Sequence, residues 1–237
     1  MLTLYDEEVV RMNRILMKLV VFLVVTTFVL TLCLNTTMAQ ERPLINDPPD
    51  HVSACIRNLN TGEINNLPVH QELVYSTNTP TGRQVKIKYA VEVPTTLLWS
   101  GYTQESNTDP SISYRLTLTQ YYDEFYDGGQ WYVSVDRYTG EWESLDPQVT
   151  GTDGYLRAGV AGRVWGGGVL YRTEDSPHFT PGDWATDTLY PSWAGTYVEV
   201  NAYGSYQCGQ ISVELLREPT GYKWEFWFNI CKGSVPW

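Results

Sequence analysis

Residues 206–231 read YQCGQISVELLREPTGYKWEFWFNIC, and this stretch decides the fold. Glu218-Pro219-Thr220-Gly221 has the chemistry of a turn, since proline presets φ for a turn position and glycine accepts φ > 0. With Arg217 and Tyr222 closing the loop, facing residues have numbers that add to 439. Leu215 then faces Trp224, Val213 faces Phe226 and Ile211 faces Phe228. All six are apolar, and each alternates with a different set, as a half-buried antiparallel ribbon requires. The same rule sets Cys208 opposite Cys231. A slip of two residues would keep the apolar faces but part the cysteines, and a slip of one would scramble both. Facing cysteines can reach the Cα separation of ~5.5 Å that a disulfide prefers. The opposite face pairs Gln210 with Asn229, Ser212 with Trp227 and Glu214 with Glu225. Two facing carboxylates repel unless a cation or proton lies between them. They therefore either splay into water or form a metal site or an acid/base pair.

Outward from the hairpin, the chain reads as strands and turns. Val52 to Leu59 forms a short strand ended by Asn60-Thr61-Gly62, and Glu72–Tyr75 forms another. Gln84 to Val93 alternates Val85, Ile87, Tyr89, Val91 and Val93 with Lys86, Lys88 and Glu92, and Pro94 ends it. Leu97-Leu98-Trp99 is a short apolar run, and Gln104 to Pro110 a polar loop. Ser111 to Tyr126 and Gln130 to Asp136 make a hairpin around Tyr126-Asp127-Gly128-Gly129. Tyr138-Thr139-Gly140 reads as a tight turn before a strand from Glu141 to Leu145. Asp146 to Gly154 reads as a loop. Tyr155 to Arg172 is a β segment broken by Gly166-Gly167-Gly168. Glu174 to Trp193 lacks regular alternation, and Thr196 to Tyr203 reads as a strand. No stretch after residue 40 has an apolar period of 3.6, and Thr, Tyr, Val, Trp and Gly are plentiful. The composition and the turn spacing predict an all-β fold: an antiparallel two-sheet β-sandwich, with a barrel as second choice, closed by the C-terminal disulfide-linked hairpin.

The N-terminus carries an address. Arg14 and Lys18 precede an apolar run from Leu19 to Leu34, and Thr37-Met38-Ala39 has the small-x-small form of a cleavage site. Residues 1–39 thus read as a signal peptide, with Met12 or Met17 as the true start. A retained membrane anchor is the alternative, although the run falls short of the ~20 residues that a span needs. Residues 40–50, with Pro43, Pro48 and Pro49, read as a flexible arm. Residues 51–237 read as a single all-β domain. The first 39 residues hold three acids and three bases, so the rest keeps the whole net charge of −11. That acidity repels phosphate backbones and argues against nucleic acid or, after signal cleavage, an anionic membrane as partner. Localisation is expected to be secreted or extracytoplasmic, where disulfides persist. Cys55 is left over, to be buried and inert or to pair between chains.

Motif chemistry is sparse. The chain has no G-x-S-x-G, H-E-x-x-H, phosphate-binding glycine loop or C-x-x-C, and His51, His70 and His178 lie far apart in sequence. The irregular stretch 174–193 gathers Glu174, Asp175, His178, Asp183 and Asp187 among Phe179, Trp184, Tyr190 and Trp193. Its ligand-binding candidates are Trp184, Trp193, Tyr190, Asp183 and His178, where rings would offer a flat face to a sugar and acids would accept its hydroxyls. Equally, the rings could pin the loop to the sandwich. Asp146 and Asp153, with Glu143 nearby, are candidate metal ligands, and Ca²⁺ is the cofactor such oxygen donors suit. Asp123, Glu124, Glu141 and Glu143 could supply a glycosidase pair, or be ordinary solvated acids. Tyr132, Tyr197, Tyr203 and Trp227 fall on polar strand faces and could form an exposed platform. Three functions remain: a non-catalytic binding or surface-interaction module for carbohydrate or another envelope component, a polymer hydrolase with paired carboxylates, and a structural or assembly protein of the cell envelope.

Overall fold

Alternating apolar residues and glycine-marked turns become twelve strands in the computed structural model, which describes residues 50–94, 112–218 and 220–233. They are β1 (Asp50–Asn58), β2 (Ile64–Asn66), β3 (Val69–Asn78), β4 (Arg83–Pro94), β5 (Ile112–Asp127), β6 (Gln130–Ser144), β7 (Val149–Arg163), β8 (Val169–Asp175), β9 (Trp184–Leu189), β10 (Val198–Glu199), β11 (Tyr206–Arg217) and β12 (Tyr222–Gly233). One sheet has the order β2-β1-β12-β11-β7-β8. The other runs β10-β6-β5-β4-β3, with β9 also on β6. All the pairings are antiparallel, and the sheets form an open two-layer sandwich, not a barrel. The proposed signal peptide, most of the arm, Leu97-Leu98-Trp99, Gln104–Pro110 and Pro219 lie outside the described residues.

The C-terminal hairpin has the register that its residues dictate. Cys208 pairs with Cys231, Ile211 with Phe228, Val213 with Phe226, Leu215 with Trp224 and Arg217 with Tyr222. Cys208 and Cys231 are disulfide-bonded, with Cα atoms 4.1 Å apart. That is closer than the separation expected above and nearer the ~4.5 Å of the narrow pairs in an antiparallel ladder. Ile211, Val213, Phe226 and Phe228 are fully buried, facing Leu116, Leu118, Tyr138 and Trp142 in one core. Asp127 pairs with Gln130, which leaves Gly128 and Gly129 as the loop; both have positive φ, as a tight hairpin turn needs.

Four readings need correction. Tyr138-Thr139-Gly140 is not a turn: β6 runs straight through it. The pairing shifts between Tyr121 and Tyr122, which leaves Asp136 as the extra residue of a bulge. The bulge changes the phase of alternation, so the buried set passes from Val133 and Val135 to Tyr138 and Trp142. Gly140 is in the strand because a Cβ there would meet the Trp142 ring at 2.7 Å and Leu156 at 2.8 Å. Asp146–Gly154 is only partly loop, since β7 begins at Val149. Glu174–Trp193 is not irregular throughout, because β9 pairs with β6 from Tyr138↔Leu189 to Glu143↔Trp184. The strand expected over Thr196–Tyr203 shrinks to Val198–Glu199 and is followed by a turn.

Candidate functional site

The outer face of the second sheet carries the densest cluster of accessible rings. On β5 the buried set is even-numbered (Tyr114, Leu116, Leu118, Tyr122), so Tyr121, Asp123 and Phe125 face outward. Phe125 pairs with Tyr132 across the strands, and their rings stack at 5.3 Å. Tyr197 meets Phe125 edge-on at 4.9 Å, and Trp165 does so at 5.4 Å. Trp165 reaches this face because its backbone N–H donates to the Tyr197 carbonyl at 2.9 Å. Its indole N–H donates to Asp127 at 3.3 Å, and the residue stays 55% exposed. Beside this corner the Arg137 guanidinium lies 3.8 Å from the Tyr121 ring centroid.

Asp123 borders the rings. Burial pushes its carboxyl above the usual carboxylate range, the Asp136 carboxylate adds to the shift, and a hydrogen bond with Gln84 opposes it. Ionised Asp123 therefore costs the folded state stability at neutral pH, a cost that disappears below the unfolded pKa of ~3.9. Asp123→Asn is expected to melt above the wild type at pH 7, with the gain fading as the pH falls toward 4. Thermal melts at both pH values check this; a lower melting temperature at pH 7 would contradict it.

The sequence candidates do not converge on one place. Trp193 is 4% exposed and belongs to the core, so it pins its loop. Trp184 is 65% exposed on β9, and Tyr190 is exposed just beyond that strand. Asp183 is exposed too, and after burial itself its charge is the second cause that raises the Tyr114 hydroxyl pKa. His178 stacks on Tyr155 at 4.4 Å and is hydrogen-bonded to Asp153, its Nδ1 lying 2.9 Å from Oδ1. Asp146 instead faces Arg217 at 3.6 Å. Asp146 and Asp153 thus have separate protein partners, and no cluster of three or more potential metal ligands occurs among the described residues.

The remaining acids are also engaged. Glu143 and Glu92 share Arg115 at 2.8 and 2.7 Å, and Glu141 lies 3.9 Å from Lys88. Glu124 points inward, buried against Arg83. The Ser192 hydroxyl and then the Ser192 N–H, at 2.8 Å, donate to Glu174 and lower its pKa. The facing carboxylates of the C-terminal hairpin splay to different cations: Glu214 to Lys223 at 2.6 Å and Glu225 to Arg57 at 3.3 Å. Exposed pairs of this kind contribute ~0–1 kcal/mol. Glu214→Gln is therefore expected to change stability by less than ~1 kcal/mol in urea unfolding. A loss of several kcal/mol would point to a bound cation.

Of the predicted platform, Tyr132 and Tyr197 come together, whereas Trp227 lies on the other sheet under Arg57, 5.2 Å from its ring. Tyr203 sits in the turn after β10. Cys55 has a free thiol, donating to Asn66 at 3.2 Å. Phe125 and Trp165 were absent from the candidates. Phe125 was legible, since it falls two residues from Asp123 on the polar phase of β5. Trp165 was not, because a glycine-flanked residue has no phase to read. Comparison with protein-family models and with curated proteins finds no match. The disulfide suits an oxidising compartment, and among the described residues no helix is long and apolar enough to cross a membrane.

Proposed function

We propose that this is a secreted, non-catalytic binding module whose contact surface is the aromatic corner of Phe125, Tyr132, Trp165 and Tyr197, and whose ligand is an extracellular polysaccharide. The observation that carries the reading is Trp165, half-exposed yet held by Asp127, Phe125 and the Tyr197 carbonyl. Rings fixed in this way offer area to a sugar face without a large ordering cost. Asp123 and Asp127 at the rim can accept hydroxyl hydrogens. The apolar run and small-x-small site near Ala39 support the address.

Affinity electrophoresis and calorimetry of the full chain against neutral and acidic polysaccharides test this. Trp165→Ala is expected to lower affinity by about tenfold or more, as loss of a central aromatic anchor does. Trp184→Ala, at the far end of the same sheet edge where Trp184 pairs with Glu143 of β6, should leave it unchanged. If no polysaccharide binds, or if Trp184 matters and Trp165 does not, the reading falls. A second reading, polymer hydrolysis, attaches to Asp123 beside Asp136: a carboxyl whose pKa is raised by burial, with a second carboxyl nearby, suits acid–base work. Release of new sugar ends that Asp123→Asn abolishes would favour it.

A further inference from the structure

Next to the aromatic corner, the turn between β7 and β8 runs beside residues 199–205 and leaves an open groove of about 420 Å³. Arg163, Val169, Tyr171, Glu199, Tyr203 and Ser205 help to line it. Tyr203 is 93% exposed and Tyr171 is also open, whereas Glu199 is 5% exposed and Ser205 is equally sunken. An antiparallel bridge joins Val164 to Val198, so one residue further along the same pairing Arg163 faces Glu199. On its other side Glu199 pairs with Tyr132. Groove and corner are therefore one surface, running Arg163, Glu199, Tyr132, Phe125.

The charges in the groove are not closed on each other. Arg57, Arg83, Arg115, Arg137, Arg157 and Arg217 each meet a carboxylate. Arg172 donates to Ser192 at 3.1 Å. Neither Arg163 nor Glu199 has an ion pair or side-chain hydrogen bond among the described residues. A guanidinium offers only donors and a carboxylate only acceptors. An anion would satisfy Arg163 and oppose Glu199, and a cation would do the reverse. A vicinal diol satisfies both, because each hydroxyl accepts from one neighbour and donates to the other. The net charge of −11 also disfavours a polyanion.

We infer that the groove binds a residue of a neutral sugar, its vicinal diol held between Arg163 and Glu199 and its ring face set against Tyr203. This rests on the polysaccharide reading above and names the class of ligand. The test is calorimetry of the full chain with glucan, mannan and xylan oligosaccharides and with a uronate oligomer. At least one neutral oligosaccharide should bind. Arg163→Gln, Glu199→Gln and Tyr203→Ala should each weaken it about tenfold or more, with thermal melts to confirm folding; Tyr203, being exposed, can be removed without harm to the core. If a neutral oligosaccharide binds and Trp165→Ala weakens it while these three variants do not, the groove inference fails and the corner reading stands. If the uronate oligomer binds better and Glu199→Gln strengthens it, the groove is an anion site and the inference is overturned. If no oligosaccharide binds, both fail.

Discussion

Trp142→Ala is expected to destabilise the protein by about 4 kcal/mol, near the upper end for loss of a buried aromatic. Trp142 is fully buried on β6. Its indole N–H donates to the Ser212 carbonyl of β11 at 3.0 Å, so one side chain joins the two sheets across the core. Phe179 meets the ring edge-on at 5.1 Å. The backbone has already made room: Gly140 and Gly154 both lack a Cβ where one would press on this ring, at 2.7 and 3.2 Å. A site shaped by two glycines cannot collapse easily around a missing indole, and the cost of a cavity grows with the volume that stays open. Trp142→Phe should lose about 1–2 kcal/mol, from the hydrogen bond and part of the volume. Urea unfolding with an unchanged slope checks both values. A loss below ~1.5 kcal/mol for the alanine variant would mean that the sheets are not coupled through this residue.

The same residues show what the sequence could and could not reveal. Register in the C-terminal hairpin was readable because two unrelated signals, apolar alternation and the cysteine pair, select one offset. The turn at Gly128-Gly129 was readable because its chemistry is local. Gly140 misled because glycine serves both turns and close approach, and only the fold brings Trp142 and Leu156 against it. The Asp136 bulge hid the continuity of β6, since a change of phase in a sequence looks like a break between strands. For β9 the obstacle was different. Its partner residues on β6 lie 41 to 51 positions upstream, from Glu143↔Trp184 to Tyr138↔Leu189, and Trp184–Leu189 alternates too weakly on its own to name that partner. The site was half legible for a related reason. Phase places Tyr132 and Phe125 on the outer face, but the backbone contact that delivers Trp165 to them joins Trp165 to Tyr197, 32 residues apart. The loop acids Asp146 and Asp153 looked like a set because they are neighbours in sequence. In space one belongs to Arg217 and the other to His178.

Removal of the Cys208–Cys231 disulfide is expected to cost about 3 kcal/mol while leaving the native fold intact. The bond closes a loop with a sequence separation of 23 residues. By chain entropy, freeing such a loop in the unfolded state is worth roughly that amount. The packing argument points the same way. Cys208 occupies the even-numbered phase of β11 that carries Gln210, Ser212 and Glu214, and Cys231 faces it from β12; neither lies on the core phase of Ile211 and Val213. Both cysteines are buried, but neither belongs to the packed core cluster, so the double change leaves that cluster complete. Register does not depend on them either, because β11 and β12 are central strands, held on their outer sides by β7 and β1. The Cys208→Ser, Cys231→Ser double variant should therefore melt roughly 10 °C lower, given 2–4 °C per kcal/mol for a domain of this size. Its near-UV circular dichroism should match that of the wild type, since Trp142 and Trp224 keep their surroundings. Reduction of the wild type should reproduce the lower melting temperature, and Cys55→Ser should leave the wild-type value in place, because that thiol is free and donates to Asn66 on the strand face. Collapse of the near-UV signal in the double variant would mean that the bond fixes the register of the native state. A shift of less than about 3 °C would mean that the unfolded chain keeps this hairpin without the bond.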